Sequence, residues 1–268
     1  MRLDKKSPIP LYYQLAELIR EQIQAGMLKP GDQLPSERDL SNQAAISRMT
    51  VRQAVAYLVR EGALAVKQGV GTFVAEPKLA HDTLHLLGFT EEIMRRGGVV
   101  ASRVLEQTMV SPSASVVAGL NLGAGEQVVK IVRLRLWQET PLLLETIFIP
   151  AALCPSLANE DLTTKSLYAC LEQQYALRLN YAHQTLEATV ANDYESDLFG
   201  VEPGTAMILL EGVTYAQQSY PVEYFKAVYR GDRFKFELES RRDLSGEASN
   251  TSRLNVLLAG NGRASAKL

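Results

Sequence analysis

Between Pro10 and Ala25 the apolar residues Leu11, Leu15, Leu18, Ile19 and Ile23 recur at three- and four-residue steps. That spacing places them on one face of a helix. Gly26 fits its stop, and Lys29-Pro30-Gly31-Asp32 reads as a turn. Ser36 then stands at an N-cap position, with the acidic Asp39 three residues on, so a short second helix is expected to end near Ala44. After Ala45-Ile46, Ser47 is another cap candidate. Val51, Ala54, Val55, Leu58 and Val59 follow as a full apolar stripe, with Arg48, Thr50, Arg52 and Gln53 on the polar side. Gly62 sits where a C′ glycine belongs. Leu64 to Val74 reads as a hairpin whose tip is Gly69-Val70-Gly71.

Further along, the period changes. Pro77 to about His85 reads as a linker. A strand is expected over Gln127–Trp137, with Ile131, Arg133, Arg135 and Trp137 on one face. Gln138-Glu139-Thr140-Pro141 turns it into a hairpin partner, LLLETIFIP. Helices are expected over Lys165–Ala176 and from Asp193 to Gly200, and strands over Tyr181–Ala191, Ala206–Tyr215 and Val222–Tyr229. The tail from Ser245 is small and polar apart from VLLAG and reads as unstructured. The division is therefore 1–76, 77–85 as linker, 86–244 and 245–268 as tail, in the α+β class.

The 268 residues suffice for about two domains, and 46% hydrophobic with 22% charged residues excludes a wholly disordered chain. No apolar run reaches the roughly 18–20 residues of a membrane span, and MRLDKKSPIP has no apolar stretch behind its charges, so neither membrane nor secretion is expected. Two cysteines, Cys154 and Cys170, give no disulfide framework and fit a reducing cytoplasm. The net charge of −2 does not announce a nucleic-acid binder. Residues 1–76 carry ten Lys and Arg against eight Asp and Glu, the remainder 18 against 22, so placement matters more than the total.

Two short helices, a tight turn and a hairpin make a winged helix-turn-helix. The second helix of such a motif enters the major groove with its N-terminal residues at the base edges. Here that end presents Ser47, Arg48, Thr50, Arg52 and Gln53. Arginine can grip guanine, glutamine adenine, and threonine can touch a thymine methyl. Lys67, Gln68 and Gly69 stand at the wing tip, where glycine lets backbone approach a groove. The plainer alternative is a surface helix with solvated arginines.

PGDQLPSERDL, SRMTVRQAV and QGVGTFV together resemble the DNA-binding domain of the GntR family. That resemblance implies Arg38, Arg48 and Arg52 as base or phosphate contacts, with Ser47, Thr50, Gln68 and Gly69 beside them. Met49 stands where many relatives carry a small polar residue. Residues 80–243, through GFTEEIMRRG, VRLR, the Glu145 strand, KSLY and FKAVYRGDRF, resemble the UTRA domain of the HutC branch. This implies a chorismate-lyase-like fold, a small-molecule pocket without catalysis or cofactor, a homodimer and a pseudo-palindromic double-stranded operator.

Arg133 and Arg135 point the same way from one strand, and paired guanidinium groups suit phosphate or carboxylate. Ser166 and Tyr168 near a helix start offer hydroxyls, Glu145 and Glu223 can accept from sugar hydroxyls, and Tyr229 can stack. Relatives that sense phosphosugars such as N-acetylglucosamine 6-phosphate imply the same positions, together with Phe89 and Thr90. The alternative is that both arginines pair with nearby acids on a solvated face. His81 and His85 lack a third ligand, Cys154 and Cys170 lack CxxC spacing, and Gly69-x-Gly71 lacks a third glycine. About 190 residues after the wing are too few for the pyridoxal-phosphate domain fused to some GntR heads. A DNA-binding architectural protein without a ligand is the other rival.

Overall fold

The computed structural model describes residues 3–82, 88–95 and 97–237. The tail expectation for 245–268 and the end of the linker around His85 lie outside them.

The N-terminal unit contains α1 (Leu11–Gln24), α2 (Glu37–Ala44), α3 (Arg48–Arg60), β1 (Leu64–Lys67) and β2 (Gly71–Val74). Local chemistry sets each boundary. The Ser36 hydroxyl accepts from the Asp39 amide at 3.2 Å, and that of Ser47 from the Thr50 amide at 3.1 Å. Each satisfies an amide that a helix start leaves without a partner. Between the two helices Ala45 takes a left-handed φ of 51°, which makes the turn sharp. Leu15 and Ile19 of α1, Leu40 of α2 and Val51 and Leu58 of α3 pack with Leu64 and Val74 in one buried cluster. Each such side chain contributes roughly 1.5–3 kcal/mol when taken from water. Arg20 of α1 pairs with Glu61 just past α3, pinning the two helices. Beside the wing, an isolated bridge that the sequence pattern did not suggest sets Gln33 opposite Phe73. The Leu34 amide donates to the Thr72 carbonyl at 2.8 Å and the Val74 amide to the Asp32 carbonyl at 2.9 Å.

The second unit is built on six antiparallel strands in the order β4-β5-β6-β9-β8-β7. They are β4 (Val100–Val110), β5 (Val128–Trp137), β6 (Thr140–Pro150), β7 (Leu179–Val190), β8 (Ala206–Ala216) and β9 (Pro221–Arg230). β5 and β6 join through Gln138 and Glu139, both at positive φ, as a tight hairpin turn requires. Within the stretch read as a linker, β3 (Leu79–Asp82) pairs in parallel with β10 (Phe234–Glu237). Four-residue strands carry too little pattern to be recognised alone. β4 escaped notice because a bulge between Val104 and Glu106 breaks its alternation on the sheet edge.

Helices cover both sheet faces. α4 (Phe89–Arg95) and α6 (Leu167–Gln174) lie over one, where Phe89 and Ile93 pack on Leu143 and Tyr229, and Leu167 and Leu171 on Ile131 and Ile147. α5 (Ala114–Leu120) and α7 (Asp193–Phe199) cover the other, with Phe199 on Val132, Leu134 and Val228. Cys154 and Cys170 are free thiols inside the α6 layer, and burial pushes Cys154 up to about 12. They pack as small apolar side chains.

Candidate functional site

In the head, Ser47, Arg48 and Gln53 are exposed at the start of α3, and Thr50 is half-buried beneath Ser47. The two hydroxyls lie 2.9 Å apart. The Arg38 side chain is 70% exposed. That of Arg52 is 63% exposed, yet its guanidinium already grips Glu37 in a two-point bond, at 3.2 Å from Nε and 3.0 Å from Nη2. Lys67, Gln68 and Gly69 are exposed at the wing tip, with the Lys67 ammonium 4.9 Å from the Phe73 ring centre. Lys5 and Asn42 line the same surface hollow as Ser47 and Thr50, and sequence reading passed over both.

The second candidate site lies on the α4–α6 face of the sheet. Strand register creates it: Arg133 faces Glu145 across β5–β6, and Thr214 faces Glu223 across β8–β9. Arg133 and Arg135 are 1% and 2% exposed, so they are not on a solvated face. They do pair with an acid. Oε1 of Glu145 accepts from Arg133 Nη2 at 2.6 Å and from Arg135 Nη1 at 2.8 Å. Arg135 Nη2 also donates to the Thr90 hydroxyl at 2.5 Å, and its guanidinium stacks 5.1 Å from the Phe89 ring centre. Beside this cluster, Oε2 of Glu223 accepts from Thr214 at 2.5 Å and from Tyr168 at 3.0 Å. Ser166 caps α6, its hydroxyl accepting the Ala169 amide at 3.2 Å. The ring of Tyr229 packs edge-on against Phe234 at 5.0 Å.

The pairing is incomplete. Among the described residues, Nε and Nη1 of Arg133 and Nε of Arg135 are buried without a partner. A buried donor left unpaired costs roughly 1–3 kcal/mol, more when charged. Burial draws Arg133 down to about 10, with Glu145 opposing and Arg135 adding to the fall, so it stays cationic at neutral pH. Burial would raise Glu145, but the charges of Arg133 and Arg135 outweigh it and hold the carboxyl low. Among the described residues, Glu223 has no direct cationic partner. Burial pushes it up to about 7, against its two hydroxyl donors. The cluster is thus a buried cationic pair, half-neutralised, with spare N–H donors and hydroxyls around it. Spare guanidinium donors of this kind have the chemistry to take up a small anion bearing polar groups.

Of the nine residues expected around the second site, eight belong to this cluster or border it, and Ser166 is placed only as the cap of α6. Thr214 was missed, because a threonine within an apolar strand looks like ordinary strand filler. Only its register opposite Glu223 reveals it.

Comparison with known proteins supplies the lineage. Residues 11–74 match the family described as bacterial regulatory proteins, gntR family, and residues 95–235 match the UTRA domain. The chain is 38% identical over 236 residues to the HTH-type transcriptional repressor NagR of Bacillus subtilis, covering 88% of this chain and 97% of that protein. It is 30% identical to the mannosyl-D-glycerate transport/metabolism system repressor MngR of Escherichia coli, covering 88% and 98%. Among solved structures, that of PhnF from Mycobacterium smegmatis superposes with a TM-score of 0.59 at 27% identity, over 84% of this chain and 99% of that one. Among the described residues no helix is long and apolar enough to cross a membrane. The chain is a DNA-binding transcription regulator of the GntR family, in the HutC branch that carries a UTRA effector domain, and not an enzyme.

Proposed function

We propose that the chain is a homodimeric repressor of a pseudo-palindromic operator, and that a small anionic effector such as a phosphosugar binds at Arg133 and Arg135 to change its grip on DNA. The division at 1–76, 77–85 and 86–244 belongs to this reading. The observation that carries it is the set of buried, unpartnered N–H groups on Arg133 and Arg135, ringed by Thr90, Tyr168, Glu145 and Glu223. An anion entering there gains charge-assisted bonds and relieves three unsatisfied donors. Tyr229 and Phe89 supply apolar ring surface, and the two carboxyl groups suit sugar hydroxyls. Relatives named as repressors of mannosyl-D-glycerate, histidine and fructoselysine systems fit this reading, since each of those compounds carries a carboxylate. Ser47, Arg48, Thr50, Arg52 and Gln53 with Arg38 and the wing tip would read the operator. Dimerisation suits β7, an edge strand with exposed Tyr181, Leu186 and Val190.

The test is a thermal-shift screen of phosphosugars, N-acetylglucosamine 6-phosphate first, and of small carboxylates. A hit should raise the melting temperature, lower or raise operator affinity, and vanish in Arg133→Ala while that variant still binds operator. A hit that persists in Arg133→Ala would remove the arginine pair from the effector site. A light-scattering mass equal to one chain would remove the dimer.

A further inference from the structure

The turn between β9 and β10 touches the head at the end of α3. Its first flank is Tyr229, whose ring borders the buried cluster. Its second is Phe234, 1% exposed, which packs at 5.0 Å on Tyr229 and at 6.1 Å on Phe89, the ring stacked over Arg135. The turn is tightly braced. Arg230 grips Asp232 at 3.0 and 2.7 Å, Lys78 donates to the Gly231 carbonyl at 2.7 Å, and the Leu79 amide to that of Arg233 at 2.7 Å. Its outer side meets the end of α3. Gly62 has φ +75°, and a Cβ added there would stand within 3.0 Å of the Asp232 carbonyl oxygen and 3.1 Å from its Cα.

Both surfaces of this contact are backbone, so no flexible side chain can yield. Such a contact is either seated or apart, which is the kind of two-position element that a coupling between sites needs. The lever is long. Gly62 lies 14 residues beyond Arg48, about 20 Å along a helix at 1.5 Å per residue. The buried stripe of α3 keeps that helix stiff, so a small shift at its C-terminus displaces the DNA-facing end.

We propose that the Arg230–Arg233 turn is the seat of the recognition helix, and that the effector pocket governs DNA binding through the Asp232–Gly62 contact. The coupling half rests on the effector site proposed above; the seat itself does not.

The discriminating variant is Gly62→Asn in the full chain. Asparagine tolerates the left-handed conformation and so preserves the stop of α3, but its Cβ collides with Asp232. Gly62→Ala adds backbone strain as well and serves as the harsher comparison. Two readouts are taken: hydrogen exchange of the 231–233 amides, and the ratio of affinities for an in-vitro-selected operator duplex with and without N-acetylglucosamine 6-phosphate. In Gly62→Asn the exchange should quicken at least tenfold and the ratio should fall towards one, with α3 helicity unchanged. Unaltered exchange would overturn the seat. Faster exchange with an unaltered ratio would overturn the coupling. A wild type indifferent to the phosphosugar would count against the effector assignment alone, since the exchange comparison still accepts or rejects the seat.

Discussion

The molecule places arginines in two opposite settings. In the head, Arg38, Arg48 and Arg52 stand exposed on a core that makes no use of them. In the effector domain, Arg133 and Arg135 are threaded into the sheet interior and their charges are part of how the domain holds together. Charge and stability are therefore separable in the head and entangled in the effector domain. A surface that meets DNA can wait in water, because phosphate and base edges arrive hydrated. Two guanidinium groups held inside the sheet are shut off from water, and Glu145 stays in place as their counter-charge.

The largest expected effect tests the entanglement. Glu145→Ala strands two buried guanidinium groups without their shared carboxylate. Removing one partner of a buried pair costs roughly 3–5 kcal/mol, and denaturant unfolding of the effector domain should show a loss of that size. A loss below about 1 kcal/mol would mean that water reaches the arginines, and the contrast with the head would dissolve.

Next comes pH. Folded Glu223 holds its proton up to about pH 7, while its unperturbed value is 4.5. Between those values the native state binds more protons than the unfolded chain. The associated stability is complete below about pH 4.5 and is lost as pH rises through 7, by up to about 3 kcal/mol. Glu145 is held low and titrates beneath this window. Denaturant midpoints from pH 4.5 to 8 should thus slope downward in the wild type relative to Glu223→Gln. Parallel curves would show that folding leaves the titration of Glu223 unshifted.

These two regions also differed in how far the sequence disclosed them. The head is legible because its signals are local: Ser36 and Ser47 cap the helices they precede, and the stripe from Val51 to Val59 needs no partner to be seen. The strands β5, β6, β8 and β9 were also expected close to where they lie. What stayed hidden was register within the hairpins. The β5–β6 turn was read, but not which side chain would face Arg133, and nothing in the β8 pattern marks Thr214 as the partner of Glu223. Family resemblance brought most of these residues together, and register explained why. The Arg52–Glu37 pair in the head was hidden as well, since the two residues are on different helices.

In the head the same logic predicts clean separation. Arg48→Ala should weaken operator binding by roughly 1–3 kcal/mol if the side chain makes a base contact. Its melting should stay within about 0.5 kcal/mol of wild type, as for other surface substitutions. Filter binding and thermal unfolding of the same preparation decide this, and an equal loss in both would place Arg48 in the fold.

The smallest effect concerns Arg52, the head residue most like the buried pair. Its two-point bond to Glu37 is exposed, and such pairs contribute roughly 0.2–1 kcal/mol. To touch DNA, Arg52 must let go of Glu37 or share it. Glu37→Gln should therefore improve operator affinity about twofold to fivefold, below about 1 kcal/mol, and the gain should shrink as salt rises. Removing a carboxylate near phosphates would give some gain even if Arg52 never reached the duplex, so the single variant cannot decide. The cycle with Arg52→Ala does. If Arg52 is the reader that Glu37 restrains, Glu37→Gln gains nothing in the Arg52→Ala background. If the same gain survives there, Glu37 acts on DNA directly and Arg52 serves the fold, as Arg133 and Arg135 serve theirs.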